Sequence, residues 1–326
     1  NHERRHRKSC GRPCEKKYMT DAFEVQADLS PAQSTTNETF VTETLALYAA
    51  NLNDTDAPDA EILPEQPNGF VLLGLAPELV QAVADLGYTL PTAVQLKAIP
   101  LALPKETLGQ ANSYIDLMVS SQTGSGKTAA FLLPVLHTLL QELAAEEEAE
   151  RAAFAQACAD ASAKGEPAPK RPKRKDPTNA RNFKAPTPGA LIVCPTRELA
   201  QQVAHDAIDL VKHCRGLRVA NIVGGMPYQL QIAKLQNANL VVATPGRLLD
   251  LQRSMQIKLD KVKFLVVDEA DRMLDLGFSD DLADINQLTS QRQQTMMFSA
   301  TFAPRIQQLA MRVMHDGGSS VQKIQI

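Results

Sequence analysis

Six short apolar runs recur along the chain between residues 115 and 301: "IDLMVSS", "ALIVCP", "RVANIVG", "ANLVVATP", "FLVVDEA" and "QTMMFSAT". Each is followed by a stretch whose apolar residues recur at helical spacing. A run that stays apolar at successive positions suits a strand covered on both faces, and strand-then-helix repetition builds a parallel sheet. The pattern therefore predicts an α/β domain, a mainly parallel sheet with helices on both faces. In such sheets ligands bind where strand carboxyl ends meet helix starts, and every polar signature below falls at such an end.

Outside these runs the pattern weakens. Residues 1–66 open with "NHERRHRKSCGRPCEKK" and continue as polar text with little apolar periodicity, so they are expected to form a disordered arm ahead of a domain at 67–326. The composition changes at Met19, which makes it a candidate start. His2, His6, Cys10 and Cys14 recur every four residues, as zinc ligands on a helix would. Gly11 and Pro13 interrupt that helix, and a solvated tail is the better reading. A low-complexity insertion is expected at about 144–188. Its Ala/Glu half extends the preceding helix, while Gly165 to Pro188 is too rich in proline and charge to pack. Its "KRPKRK" (Lys170 to Lys175) reads as a solvated loop, with an auxiliary phosphate contact as the sharper alternative.

Composition narrows the partners. With 326 residues, 44% hydrophobic, a net charge of −3 and a pI near 6.1, the chain can bury a sizeable core and is not a globally basic nucleic-acid binder. Any nucleic acid must be held by local loops. There is no run of about 18 apolar residues and no apolar leader after the basic opening, so no membrane partner is expected and the cytoplasm is the default. The five cysteines are scattered, and Cys194 and Cys214 lie in or beside apolar runs, as reduced structural thiols do.

Two of the strand ends carry phosphate chemistry. "SQTGSGKT", Ser121, Gln122, Thr123, Gly124, Ser125, Gly126, Lys127 and Thr128, fills the G-x-x-x-x-G-K-[ST] frame with serine in place of the first glycine. Backbone N–H groups at the start of a helix cradle phosphate oxygens there, Lys127 reaches the β and γ phosphates, and the Thr128 hydroxyl holds Mg²⁺. "FLVVDEAD" places Asp268 and Glu269 at a second strand end, Asp268 suited to Mg²⁺ and Glu269 to positioning and deprotonating a water that attacks a γ-phosphate. An acidic helix start, favoured by the helix dipole, accounts for one carboxylate better than for Asp268, Glu269 and Asp271 together.

"DEAD" at 268–271 resembles the motif that names the DEAD-box RNA helicases, and other segments agree with that family in its order. They are "GYTLPTAVQ" (Gly87 to Gln95) with the upstream Phe70, "PTRELAQQ" (Pro195 to Gln202), Gly224-Gly225, "TPGR" (Thr244 to Arg247) and "SAT" (Ser299 to Thr301). The resemblance covers about 70–315 and implies a RecA-like P-loop domain that uses ATP and Mg²⁺. It implies that Gln95 reads the adenine edge and Phe70 stacks on the base, where otherwise Gln95 is an exposed helix residue and Phe70 a core anchor. It assigns Pro195, Thr196, Arg197, Gly224, Gly225, Thr244, Pro245, Gly246 and Arg247 to the sugar-phosphate backbone of RNA, without base readout. Thr196 and Glu198 also suit a helix start, which leaves Arg197 to be explained. Ser299 and Thr301 are expected to bond the acidic loop and report on the γ-phosphate. The family's second RecA-like domain is expected after "SAT", and the 25 residues from Phe302 to Ile326 are too few to build it. A fragment that binds nucleotide and RNA without turnover is the rival reading, whereas a metabolic P-loop kinase explains neither "PTRELAQQ" nor "SAT".

Overall fold

The computed structural model describes residues 68–105, 113–171, 181, 183–314 and 320–326. The N-terminal arm, with its candidate start and its His/Cys spacing, lies outside these residues, as does the segment 172–175 of the basic run.

All six expected strands form: β1 (Leu117–Ser120), β2 (Ala190–Val193), β3 (Val219–Ile222), β4 (Leu240–Ala243), β5 (Phe264–Val267) and β6 (Gln294–Ser299). A seventh, β7 (Gln322–Gln325), adds to the edge. Every ladder is parallel, and the order is β3-β4-β2-β5-β6-β1-β7. The β7 segment "QKIQ" gave no apolar run because only Ile324 of its residues is buried. At an edge one face suffices.

Why the strands are apolar throughout is visible in the core. Val119, Ile192, Val242, Val266 and Phe298 pack on one face of the sheet, and Met118, Leu191, Val241, Leu265 and Met297 on the other. Side chains alternate across a strand, so two covered faces require apolar residues at both parities. On the first face lie α1 (Pro77–Asp85), α2 (Ala93–Ala102), α3 (Lys127–Ala163) and α4 (Arg197–Leu210). On the second face, α6 (Pro245–Arg253), α7 (Ala270–Asp275), α8 (Ser279–Leu288) and α9 (Pro304–Val313) contribute core residues; α5 (Tyr228–Leu235) follows β3 and adds Leu235 there.

The central helix α3 spans 37 residues. At 1.5 Å per residue this is roughly 55 Å, far more than the sheet needs. Its residues Ala130 to Leu139 are buried, so its apolar content is spent on the core, and Phe131 meets Phe298 edge-on at 5.1 Å. The Ala/Glu half of the insertion continues the same helix, with an Arg151–Glu147 pair one turn apart. Gly165, at φ +71°, ends it, with Glu166 N donating to Ala161 O at 2.8 Å. Beyond, Arg171 lies over the Phe154 ring at 5.1 Å. The expectation that nothing packs before Pro188 needs correction. Pro186 and Pro188 are buried, and Lys258 N donates to Pro186 O at 3.0 Å. Proline has no N–H to satisfy, so one bond to its carbonyl makes burial tolerable.

A buried histidine joins α3 to α1. Ala76 N donates to His137 Nδ1 at 2.9 Å, so that nitrogen carries no proton, and burial holds the His137 pKa below the ordinary histidine value. The unfolded chain therefore binds more protons in that range, and stability is whole above about pH 6.5 and falls as the pH drops below it. Thermal melts from pH 8 to 5 should show a steeper acid loss for the wild type than for His137→Asn, whose Oδ1 accepts the same bond without titrating. Parallel curves would refute this linkage.

Candidate functional site

The six strand carboxyl ends fall into two neighbouring groups. β5, β6 and β1 are adjacent, and so are β3, β4 and β2, with the β2–β5 ladder joining the groups.

After β1 the chain turns through Ser121 to Gly126 into α3. Gly124 at φ +81° faces open space, while Gly126 at φ +83° is walled in: a Cβ there would lie 2.6 Å from Gln95 Nε2 and 2.9 Å from Thr92 Oγ1. The two glycines thus serve different needs, backbone approach to a ligand at one and close packing at the other. Gln95 completes a capping box at the start of α2: its Oε1 accepts from Thr92 N at 2.9 Å, and its Nε2 donates to Gly126 O at 3.0 Å. The amide is buried, not an exposed helix residue, and it fixes the loop from behind.

Lys127 lies at the first turn of α3, with Nζ 3.2 Å from Asp268 Oδ1 and 3.4 Å from Glu269 Oε1. Burial works against its charge, but the two carboxylates outweigh burial and hold its pKa above the usual lysine value. Asp268 is fully buried at the end of β5, and that burial pushes its carboxyl up against the pull of Lys127. Glu269 N donates to Asp268 Oδ1 at 2.9 Å. Glu269 itself has φ +51°, a left-handed conformation costly for a residue with a Cβ, held where strand turns into helix. Thr128 is half-buried beside the loop.

Phe70 is placed otherwise than expected for a stacking residue. Its ring is 2% exposed and packs in the core with Leu75, Leu79 and Val83, so no face is open to a base. An aromatic in a short apolar turn is equally a core anchor, and burial of its large apolar surface decides between the two. The "SAT" loop also differs in detail. It does reach the acidic loop, through Ala300 N to Asp271 Oδ2 at 3.4 Å, whereas Ser299 Oγ is buried without a partner among the described residues and Thr301 is exposed. Ser120 Oγ donates to Ala300 O at 3.1 Å, which ties β1 to the same loop.

Four of the buried side-chain oxygens without a partner among the described residues cluster here: Ser121 Oγ, Ser125 Oγ, Asp268 Oδ2 and Ser299 Oγ. Leaving one such group unpaired costs about 1–3 kcal/mol, so four together at a glycine-rich loop mark a place built for a polar ligand. Hydroxyls, loop amides and an ammonium suit phosphate oxygens; a buried carboxylate suits a hard divalent cation. The residues fit a magnesium-bound nucleoside triphosphate.

The other group of strand ends forms a cleft of about 480 Å³ lined by Pro195, Thr196, Arg197, Gly224, Thr244, Gly246 and Arg247. Thr196 Oγ1 caps α4 by accepting from Leu199 N at 3.3 Å. Arg197 Nη1 donates to Gly224 O at 3.4 Å and occupies the space that a Cβ on Gly225, whose φ is +80°, would need. Pro245 is buried at the start of α6. Glu198, Asp250 and Phe278 also line the cleft. Asp250 and Phe278 carried no signal in the sequence, since an acid within a helix and an aromatic after a glycine are commonplace. Elsewhere, burial pushes the Cys194 thiol well up and the Cys214 thiol up to about 11, which makes both inert.

The family model of the DEAD/DEAH box helicase matches residues 92–309. The chain is 38% identical over 256 residues to DEAD-box ATP-dependent RNA helicase 52A of rice, covering 77% of this chain and 36% of the relative. It is 37% identical to the ATP-dependent RNA helicase RhlB of Pseudomonas syringae, covering 72% and 49%. Among solved structures, a DEAD box protein of Methanococcus jannaschii superposes with a TM-score of 0.57 at 30% identity, over 79% of this chain and 55% of that one. A hypothetical ATP-dependent RNA helicase of Sulfolobus tokodaii gives 0.55 at 31%, over 76% and 56%. The chain spans between about a third and a half of the length of these curated relatives. Its fold is the RecA-like one of these structures.

Proposed function

This chain belongs to the DEAD/DEAH box helicase family, and from that premise we propose that it is the ATP-binding half of an ATP-dependent RNA helicase, coupling nucleotide binding and hydrolysis to RNA binding and duplex remodelling. The observation that carries the proposal is the convergence of the four unpartnered buried oxygens with Lys127 at the phosphate loop. The separate cleft next to it, on the adjoining strand ends, supplies a place for RNA.

In this reading the loop amides and Lys127 hold the β and γ phosphates, and Thr128 with Asp268 holds Mg²⁺, which neutralises phosphate charge when bound. Lys127 is pinned by Asp268 and Glu269 in the structure, so phosphate competes for it and frees Glu269 Oε1. Glu269 then orients and deprotonates the attacking water. Ala300 N on Asp271 gives the "SAT" loop a direct handle on the acidic loop as this rearrangement occurs. Arg197, Arg247 and the backbone of the Gly224-Gly225 and "TPGR" loops hold RNA phosphates without reading bases. A second RecA-like domain completes the site with the arginines that phosphoryl transfer requires, an arrangement supported by the greater length of the relatives.

Gln95 selects adenine while holding the loop. An amide oxygen accepts two bonds and an amide nitrogen donates two, so each has one valence left after Thr92 N and Gly126 O are served. Titration of the chain with ADP and GDP labelled with a fluorescent ribose group should show ADP bound at least about tenfold tighter, because the wrong base edge leaves buried groups unpaired. Equal affinities would reject adenine selection. Binding of neither nucleotide would reject the functional reading as a whole.

A further inference from the structure

We propose that Gln231 is a positioning residue of the RNA cleft, fixing both the Gly224-Gly225 turn and Arg247 from below; the proposal rests on the reading of that cleft as the RNA site. Gln231 lies in α5 with none of its surface exposed, and it lies behind the residues that line the cleft. A fully buried glutamine is uncommon and needs partners at both ends of its amide. It has them on two different loops. Nε2 donates to Val223 O, and Oε1 accepts from Arg247 Nη1 at 3.5 Å.

The surrounding contacts show what is being held. Arg247 Nη1 also donates to Met226 O at 3.3 Å, and its guanidinium lies over the Tyr228 ring at 5.2 Å. Arg197 donates to Gly224 O from the other side. The carbonyls of Val223, Gly224 and Met226 are thus each bound by a side chain. In a trans peptide the N–H points opposite to the carbonyl, so tying Val223 O to the buried Gln231 turns Gly224 N–H away from the core, at a residue that lines the cleft. An N–H so directed is a phosphate donor.

The chemistry also says why glutamine stands here. Val223 O needs a donor and Arg247 needs an acceptor, and an uncharged amide supplies both. Glutamate would hold Arg247 and release Val223 O. Methionine, of similar length, would release both.

The test measures affinity for a fluorescein-labelled oligouridylate at low salt, affinity for labelled ADP, and amide exchange, in the wild type, Gln231→Met, Gln231→Glu, Arg247→Ala and the Gln231→Met/Arg247→Ala pair. Gln231→Met should weaken RNA binding about tenfold and the double variant no more than the worse single one, because both act through one network. ADP affinity should hold within about twofold, since the phosphate loop sits on the other strand ends. Exchange at residues 223–226 should rise in Gln231→Met and Gln231→Glu alike, while only Gln231→Glu keeps most of the RNA contribution of Arg247. Additive losses, an unchanged RNA affinity, or an equal loss of ADP affinity would each overturn the positioning role. A wild-type chain that ignores the oligouridylate would overturn the RNA reading instead, and the exchange pattern would still decide whether Gln231 orders the turn.

Discussion

Lys127→Ala is expected to bind magnesium-ADP and magnesium-ATP at least about a hundredfold more weakly than the wild type, the cost of removing a buried charged partner from phosphate. The same change leaves Asp268 fully buried without its cation, so the variant should also be less stable, by an amount on the order of 3 kcal/mol. The sign of its pH dependence follows from Asp268. Its pKa in the folded state is already raised above the unfolded value by burial, and losing Lys127 removes the main opposing influence. The folded variant therefore takes up a proton more readily than the unfolded chain, and its deficit against the wild type should be largest at neutral pH and shrink as the pH falls. Isothermal titration with both nucleotides and thermal melts at pH 7.5 and 5 read the two effects. Wild-type affinity in Lys127→Ala would mean that the loop amides alone hold the phosphates.

Glu269→Gln separates binding from chemistry. The amide keeps the shape and can still sit beside Lys127, but it cannot take a proton from water. Nucleotide affinity should remain within about threefold, while ATP turnover in a chain completed with a second RecA-like domain should fall by about 10² to 10⁴, the usual worth of a positioned base. Single-turnover hydrolysis with RNA present measures it. Turnover at the wild-type rate would remove Glu269 from the role of base and leave its left-handed backbone, φ +51°, without a functional reason.

Much of the candidate site was legible because its motifs are local. The Ser121–Thr128 frame and the Asp268–Glu269 pair are each contiguous, and each follows a strand that any scan for apolar runs finds. Phe70 was not legible in the same way. An aromatic on a short turn has two uses, and only its 2% exposure shows that it belongs to the core. The partners of Gln95 were equally hidden, because the Gly126 carbonyl it holds lies 31 residues away along the chain. Gln231 looked like any polar residue of an amphipathic helix until the fold closed over it. β7 escaped because an edge strand needs only one apolar residue to be anchored.

By itself the sequence determined six of the seven strands and where each polar motif falls at a strand's carboxyl end, since side-chain alternation and a phosphate-loop frame are written within about ten neighbouring residues. It did not determine the order of those strands. Along the chain the loops proposed for nucleotide and for RNA are interleaved, the phosphate loop first, then the three loops proposed for RNA, then the acidic and "SAT" loops. The order β3-β4-β2-β5-β6-β1 sorts them, gathering the phosphate, acidic and "SAT" loops on one half and the loops after β2, β3 and β4 on the other. That order comes from which crossovers bury both faces of the sheet, a property of the whole packing that leaves no local trace. Only then does Lys127 meet Glu269, 142 residues further along, and only then does the phosphate-loop half share the β2–β5 border with the half that carries the cleft.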